Sequence, residues 1–216
     1  MIPVLAAHWR LAWSLALPLA LVLTGCASPE PAPRDRFYSL GAPATPAASR
    51  TPLSATLLVN NLAARGFLGG RQIVFRTEEE PLRVQRYPTV LWEEPPGRAL
   101  AARLVDALRA AGLYRFVLSP EQRVRGDYVL GGELTRFEHR PTAVPPRVTA
   151  DLTLTLMRSG DRRSMLAKRY AGEEPAAAST PEEMVRAFQR LADRLVAEAV
   201  ADLTRLRPHL RAPGGV

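Results

Sequence analysis

Cysteine is almost missing from this chain: Cys26 is the only one in 216 residues. No disulfide can form within it, and no cysteine cluster can hold zinc. Lysine is nearly as scarce. Of 29 basic residues one is Lys168 and the rest are arginine. The three histidines, His8, His139 and His209, have no metal-ligand spacing between them. Ser159 lacks the Gly-x-Ser-x-Gly frame of a nucleophile elbow. Gly66, Gly69 and Gly70 are not followed by the Lys-Ser/Thr of a phosphate loop. Glu133 and Glu138 lie five apart on an expected strand. That spacing sends them to opposite faces, so they make no acid/base pair. These absences argue against an enzyme and against any cofactor. Apolar runs also stay short of the roughly 20 residues that a spanning helix needs. The fold has to be held by a core.

What is present starts at the N-terminus. His8 and Arg10 precede an apolar run from Leu11 to Leu23, and Leu23-Thr24-Gly25-Cys26 follows. A charged start, a short apolar stretch and small residues make a secretory signal over residues 1–25. The tetrapeptide resembles the lipobox of bacterial lipoproteins. That resemblance implies cleavage between Gly25 and Cys26 and covalent lipid on Cys26, with no other cofactor. Two or three acyl chains, at about 0.8 kcal/mol per buried methylene, hold far better than one. Residue 27 is Ala rather than the Asp that marks inner-membrane retention in such lipoproteins. Ala27 thus implies the inner leaflet of the outer membrane, with the domain in the periplasm.

Without residues 1–25 the chain keeps 191 residues, enough for one domain. Formal charge falls from +8 to +7 as Arg10 leaves. A basic surface suits nucleic acid or anionic headgroups. An exported chain meets little nucleic acid, so headgroups or acidic proteins fit better. The arginines are scattered, which genome composition alone also explains.

Residues 26–36 read as a lipidated, Pro-rich tether (Pro29, Pro31, Pro33). Residues 37–208 read as a single α+β domain and 209–216 as a disordered tail. Phe37-Tyr38-Ser39-Leu40 reads as a short strand or docking segment, and 41–52 as an irregular Ala/Pro stretch. Strands are expected at 54–60, 71–76 and 82–87, the last two forming a hairpin around Glu79-Glu80-Pro81. A helix is expected over 97–111. Leu100, Leu104, Leu108 and Ala111 share one face, Arg98, Arg103, Asp106 and Arg109 lie largely on the other, and Gly112 is the stop. Strands follow at 114–118, at 127–137 with a bend at Gly131-Gly132, at 148–157 with clean alternation, and at 165–170. Thr180-Pro181-Glu182-Glu183 caps a long last helix whose stripe runs from Met184 through Phe188, Leu191, Leu195 and Ala199 to Leu206. The sum is an α+β two-layer sandwich, a mainly antiparallel sheet with two long helices on one face. Phe67, Tyr87, Trp92 and Arg76 are candidate partner contacts. Trp92 also fits the core beside the first helix, and Arg71 and Arg76 also fit plain solvated surface.

Several of these segments, taken in order, resemble one family. They are Phe37-Tyr38-Ser39-Leu40, Gln72-Ile73-Val74-Phe75-Arg76, Tyr87 and Trp92 before the first helix, and Asp127-Tyr128-Val129-Leu130 with Phe137 downstream. Together with the lipobox they resemble the ABC-type transport auxiliary lipoproteins, the family of paraquat-inducible protein C, over roughly residues 37–206. Glu93-Glu94-Pro95-Pro96 and the long 41–52 stretch depart from the pattern. The resemblance implies a non-enzymatic component of an MCE-type system that moves phospholipid between the two membranes. It implies an MCE-domain protein, a permease and an ATPase as partners, and it leaves self-association open. A plug or assembly factor for an outer-membrane barrel, such as the lipopolysaccharide-insertion machinery, is the alternative. A periplasmic hydrolase is a third reading.

Overall fold

The computed structural model describes residues 33–41 and 51–210. The expected signal segment, the expected Gly25–Cys26 cleavage point, most of the expected tether, the 42–50 stretch and 211–216 lie outside the described residues.

Nine strands and two long helices occur among the described residues, joined by short 3-10 turns. In chain order they are β1 (Arg36–Tyr38), β2 (Leu53–Val59), β3 (Ala63–Ala64), β4 (Gln72–Phe75) and β5 (Gln85–Trp92). Then come α1 (Pro96–Ala111), β6 (Tyr114–Leu118), β7 (Tyr128–Arg140), β8 (Arg147–Arg158), β9 (Ser164–Pro175) and α2 (Pro181–Leu206). The α+β class holds. The sheet is mixed: its long ladders, β7–β8 and β8–β9, are antiparallel. Its short ladders are mostly parallel.

Strand β7 is the spine. One edge carries β8 and then β9. The other edge pairs in turn with β2, β3 and β4. β2 carries β6, and β4 carries β5 and then β1. The sheet therefore forks into two arms and curls.

Alternation explains which face the helices cover. Val148, Ala150, Leu152, Leu154 and Leu156 of β8 are all buried. Met184, Phe188, Leu191, Leu195, Ala199 and Leu203 of α2 meet that face, and each fully buried Leu or Phe contributes about 2–3 kcal/mol. Thr180 caps α2 by accepting from the Glu183 N–H at 3.4 Å, with Pro181 at the first helical position. Gly112 ends α1 at φ 60°, a conformation glycine adopts without Cβ strain. The outer edge of β9 is partly closed by α2. Arg194 donates to Glu173 O at 2.7 Å and Arg190 to Pro175 O at 2.8 Å. Those two carbonyls are withdrawn from pairing with another strand.

Five expectations need correcting. The strand placed at 82–87 is β5, running through Pro88 to Trp92. Only Ile73 faces the stretch between Arg86 and Leu91, so Pro88 sits in a ladder irregularity where its missing N–H costs nothing. The bulge in β7 falls between Leu134 and Arg136, not at Gly131-Gly132. Because a bulge shifts the alternation by one, Glu133 and Glu138 share a face, opposite Thr153 and Thr149. Arg103 is not on the wet side of α1 but 2% exposed. Leu210, assigned to the tail, is buried in the core.

Candidate functional site

Trp92 is the clearest outcome among the candidate contacts. It is 2% exposed, packs edge-on to Phe188 at 5.2 Å and lies 5.6 Å from Phe137. It is a core plug, so its candidacy as a surface contact is corrected. Arg76 is mostly covered. Its Nε donates to Glu138 at 2.9 Å and its Nη1 to Pro81 O at 3.0 Å. That pair gives Glu138, 4% exposed, a partner inside the sheet. Glu133 pairs separately with Arg65 at 3.1 Å. The two carboxylates thus share a face yet answer to different arginines.

Tyr87 is half-buried and stacks on Phe75 at 4.4 Å. Its hydroxyl lies 2.8 Å from His139 Nδ1. Burial pushes the phenol up to about 12 and the imidazole down to about 4. Both groups are therefore neutral near pH 7. The hydroxyl and Nδ1 share one hydrogen bond, whose donor is set by the imidazole tautomer. His139 Nε2 is buried without a hydrogen-bond partner among the described residues. A cavity of about 130 Å³ lies beside the pair, lined by Arg36, Tyr87, Val90, His139, Pro181 and Met184. That is small against the several hundred Å³ of ordinary ligand pockets.

This histidine has a measurable consequence. The folded domain keeps His139 neutral, whereas the unfolded chain protonates it below its ordinary 6.5. Stability is therefore full above pH 6.5 and falls as pH drops from there to 4, by close to 3 kcal/mol. Asp202, held at about 2 by hydrogen bonds from Lys168, Arg205 and Tyr170, adds its own loss only below its ordinary 3.8. Melting temperature of wild type should decline between pH 7 and pH 4.5, and His139→Gln should flatten that decline. Parallel curves for the two proteins would refute the assignment.

The remaining chemistry is sparse. Among the described residues no three His, Cys, Asp or Glu side chains gather to hold a metal. His209 is exposed in the 3-10 turn Arg207–His209. The Ser159 hydroxyl donates to Gly126 O at 2.6 Å. Among the described residues no helix is long and apolar enough to cross a membrane.

Three aromatic rings face outward, each under an arginine; one is Phe116 of β6, 53% exposed, with the Arg115 guanidinium 5.6 Å from its centroid. Phe67, 42% exposed, has the Arg86 guanidinium 4.3 Å from its centroid. Phe37, 52% exposed, has the Arg71 guanidinium at 4.8 Å. Of the four candidate contacts, only Phe67 belongs to this surface. Phe37 lies on a three-residue strand and Arg71 in the bend just before the four-residue β4, runs too short for sequence alternation to settle a face.

The fold resembles solved structures. A DUF330-family protein from Xanthomonas campestris superposes with a TM-score of 0.70 at 22% identity, covering 81% of this chain and 98% of its own. A second solved protein matches at 0.59 and 20% identity, covering 80% of this chain and 98% of its own. Both likenesses concern the fold. No curated protein matches the chain. The family model described as the ABC-type transport auxiliary lipoprotein component matches residues 38–200, from Tyr38 beside the exposed Phe37 to Val200 near the end of α2. With most of its length matched, the chain belongs to the ABC-type transport auxiliary lipoprotein component family.

Proposed function

We propose that this protein is the lipid-anchored auxiliary component of an MCE-type ABC system that moves phospholipid between the inner and outer membranes. The observation that carries this reading is the family match over residues 38–200, preceded by the lipobox Leu23-Thr24-Gly25-Cys26. Acyl chains on Cys26 hold the domain to the periplasmic leaflet of the outer membrane, the leaflet that Ala27 favours. The domain works by contact, and ATP hydrolysis belongs to a separate subunit. The partners are an MCE-domain protein and, further inward, a permease and an ATPase. The match to an auxiliary transport component supports a binding role over turnover.

Capture through a C-terminal tag after mild detergent extraction tests the partnership. The MCE-domain protein of the same system is expected in the eluate. Recovery of an outer-membrane barrel with no MCE-domain protein would overturn it in favour of a barrel plug. Cys26→Ala tests the anchor. The variant should move to the soluble periplasmic fraction, because the lost acyl methylenes supply nearly all the membrane affinity. Retention as firm as wild type would sink the anchor.

A further inference from the structure

Of the three arginine-covered rings, Phe116 lies on β6 at the far end of the sheet order, and the other two have their arginines at β4 and β5. On the sheet face turned away from the helices, pairing sets Phe37 of β1 beside Leu91 of β5, and Leu91 beside Gln72 of β4. Adjacent strands lie about 4.8 Å apart, so this row is roughly 10 Å wide. Two residues further along β4, Val74 sits opposite Arg86, whose guanidinium covers Phe67. Arg71, next to Gln72, covers Phe37. Its Nε also donates to Trp92 O at 3.1 Å, which fixes the base of the side chain.

Nine of the nineteen exposed arginines among the described residues are matched to carboxylates, as Arg98 is to Glu94 and Arg169 to Asp151. Arg71 and Arg86 have no carboxylate within 4.0 Å among the described residues. Each instead lies on a half-exposed phenyl ring. A guanidinium on a ring keeps its outer N–H groups free for an anion, while the ring offers apolar area beside it. Cation and aromatic together are what an anionic interface with an apolar layer just beneath it selects.

We propose that Phe37, Phe67, Arg71 and Arg86 form a docking face for anionic phospholipid headgroups on the membrane that carries the anchor. The inference rests on the Cys26 anchor proposed above. Phe37 follows Cys26 by eleven residues, which even fully extended span no more than about 40 Å. The face is therefore tied close to a lipid surface, and the effective concentration of headgroups is high. Phosphate oxygens accept from Arg71 and Arg86, and the two rings enter the headgroup layer. Docking would hold this face of the domain against the leaflet.

The test separates this face from the anchor. The core lies between Leu40 and Leu210, so a chain from Ala27 to Val216 made without the signal keeps its fold and carries no lipid. It is floated with phosphatidylcholine vesicles containing about one third phosphatidylglycerol, and with pure phosphatidylcholine vesicles. Binding to the anionic vesicles alone is expected, lost near 1 M salt where screening acts over about 3 Å. Arg71→Gln with Arg86→Gln should lower partitioning about 30-fold, each arginine at a membrane surface contributing about tenfold or less. Arg98→Gln with Arg109→Gln on α1 should change it less than about threefold on the same scale. Unchanged melting curves would show that the substitutions spare the fold. Absence of binding to anionic vesicles, or equal binding by the double variant, overturns the proposal. Loss of MCE-protein capture by the double variant, with vesicles ignored by wild type, overturns it too and assigns the face to a protein partner. Mass spectrometry of the mature N-terminus reads the anchor independently, so failure of one is not failure of the other.

Discussion

Gly132→Ala is expected to cost about 4–5 kcal/mol, whereas Gly131→Ala, one residue away, should be near neutral. The two glycines look alike in sequence and differ in what surrounds them. Gly132 pairs with Leu154 on the helix-facing side of β7. A methyl group there would sit 2.0 Å from Thr153 O and 3.1 Å from Leu154 Cδ2. The carbonyl cannot retreat, since β8 is held between β7 and β9 along nearly its whole length. Relief requires breaking the central ladder and lifting Leu154, 1% exposed, from the core. Gly131 pairs with Thr155 on the opposite face, and an added methyl meets nothing within 4 Å. Its alanine also restricts the unfolded chain, which offsets any local loss by about 0.4–1 kcal/mol. Urea unfolding of the two variants decides the matter. At roughly 2–4 °C per kcal/mol for a domain of this size, Gly132→Ala melts about 10–20 °C lower if it folds at all. Equal midpoints for the two would mean that β7 and β8 do not approach as described.

The same pair of glycines marks where the sequence stops being readable. Alternation along β8 is local and strong, and it gave the strand, its buried face and the side on which the helices lie. The Thr180 cap, the α2 stripe and the Gly112 stop are likewise written in neighbouring residues. The fork of the sheet is not. Parallel pairing of β2, β3 and β4 with successive parts of β7 depends on contacts between residues 60 to 80 positions apart, and no local pattern encodes it. Gly131-Gly132 suggested a bend, but close approach at Gly132 and a bulge one step beyond Leu134 are separate events. The bulge in turn put Glu133 and Glu138 on one face, which counting by twos cannot foresee. At the candidate site the sequence marked Phe67 as outward and allowed Trp92 a place in the core. It missed Phe37 and Arg71 as a stacked pair, because β1 is three residues long and joins β5 only through tertiary pairing. Arg103 was missed for another reason. A helix wheel separates apolar from charged residues, and a buried arginine breaks that rule.

Arg103→Met is the second large effect expected, about 4 kcal/mol, concentrated on the segment that leads to the tether. Arg103 lies on the side of α1 that meets α2. Its Nη1 donates to Leu40 O and to Gly41 O, and its Nη2 pairs with Asp193 of α2. One side chain thus ties α1, α2 and the strap after β1. Methionine fills similar space but supplies no donor. The carbonyl of Leu40, itself 4% exposed, then loses the Arg103 donor, and Asp193 loses its ion pair with Arg103. Arg103→Lys should recover only part of the loss, since an ammonium lacks the planar fork that meets the strap and the carboxylate at once. Asp193→Asn should cost less than Arg103→Met, because the Asp193 side chain is 35% exposed and water replaces part of the pair. The damage should also be local before it is global. The Glu93 N–H donates to Tyr38 O at 2.8 Å, a bond that exists only while β1 is docked. Hydrogen exchange at Glu93 should rise in Arg103→Met under conditions where the β8 amides stay protected. If the variant is no weaker than Arg98→Met, on the exposed side of the same helix, Arg103 does not hold the strap. Fast exchange at Glu93 in wild type would say the same, and the face carrying Phe37 would then be free to leave the sheet.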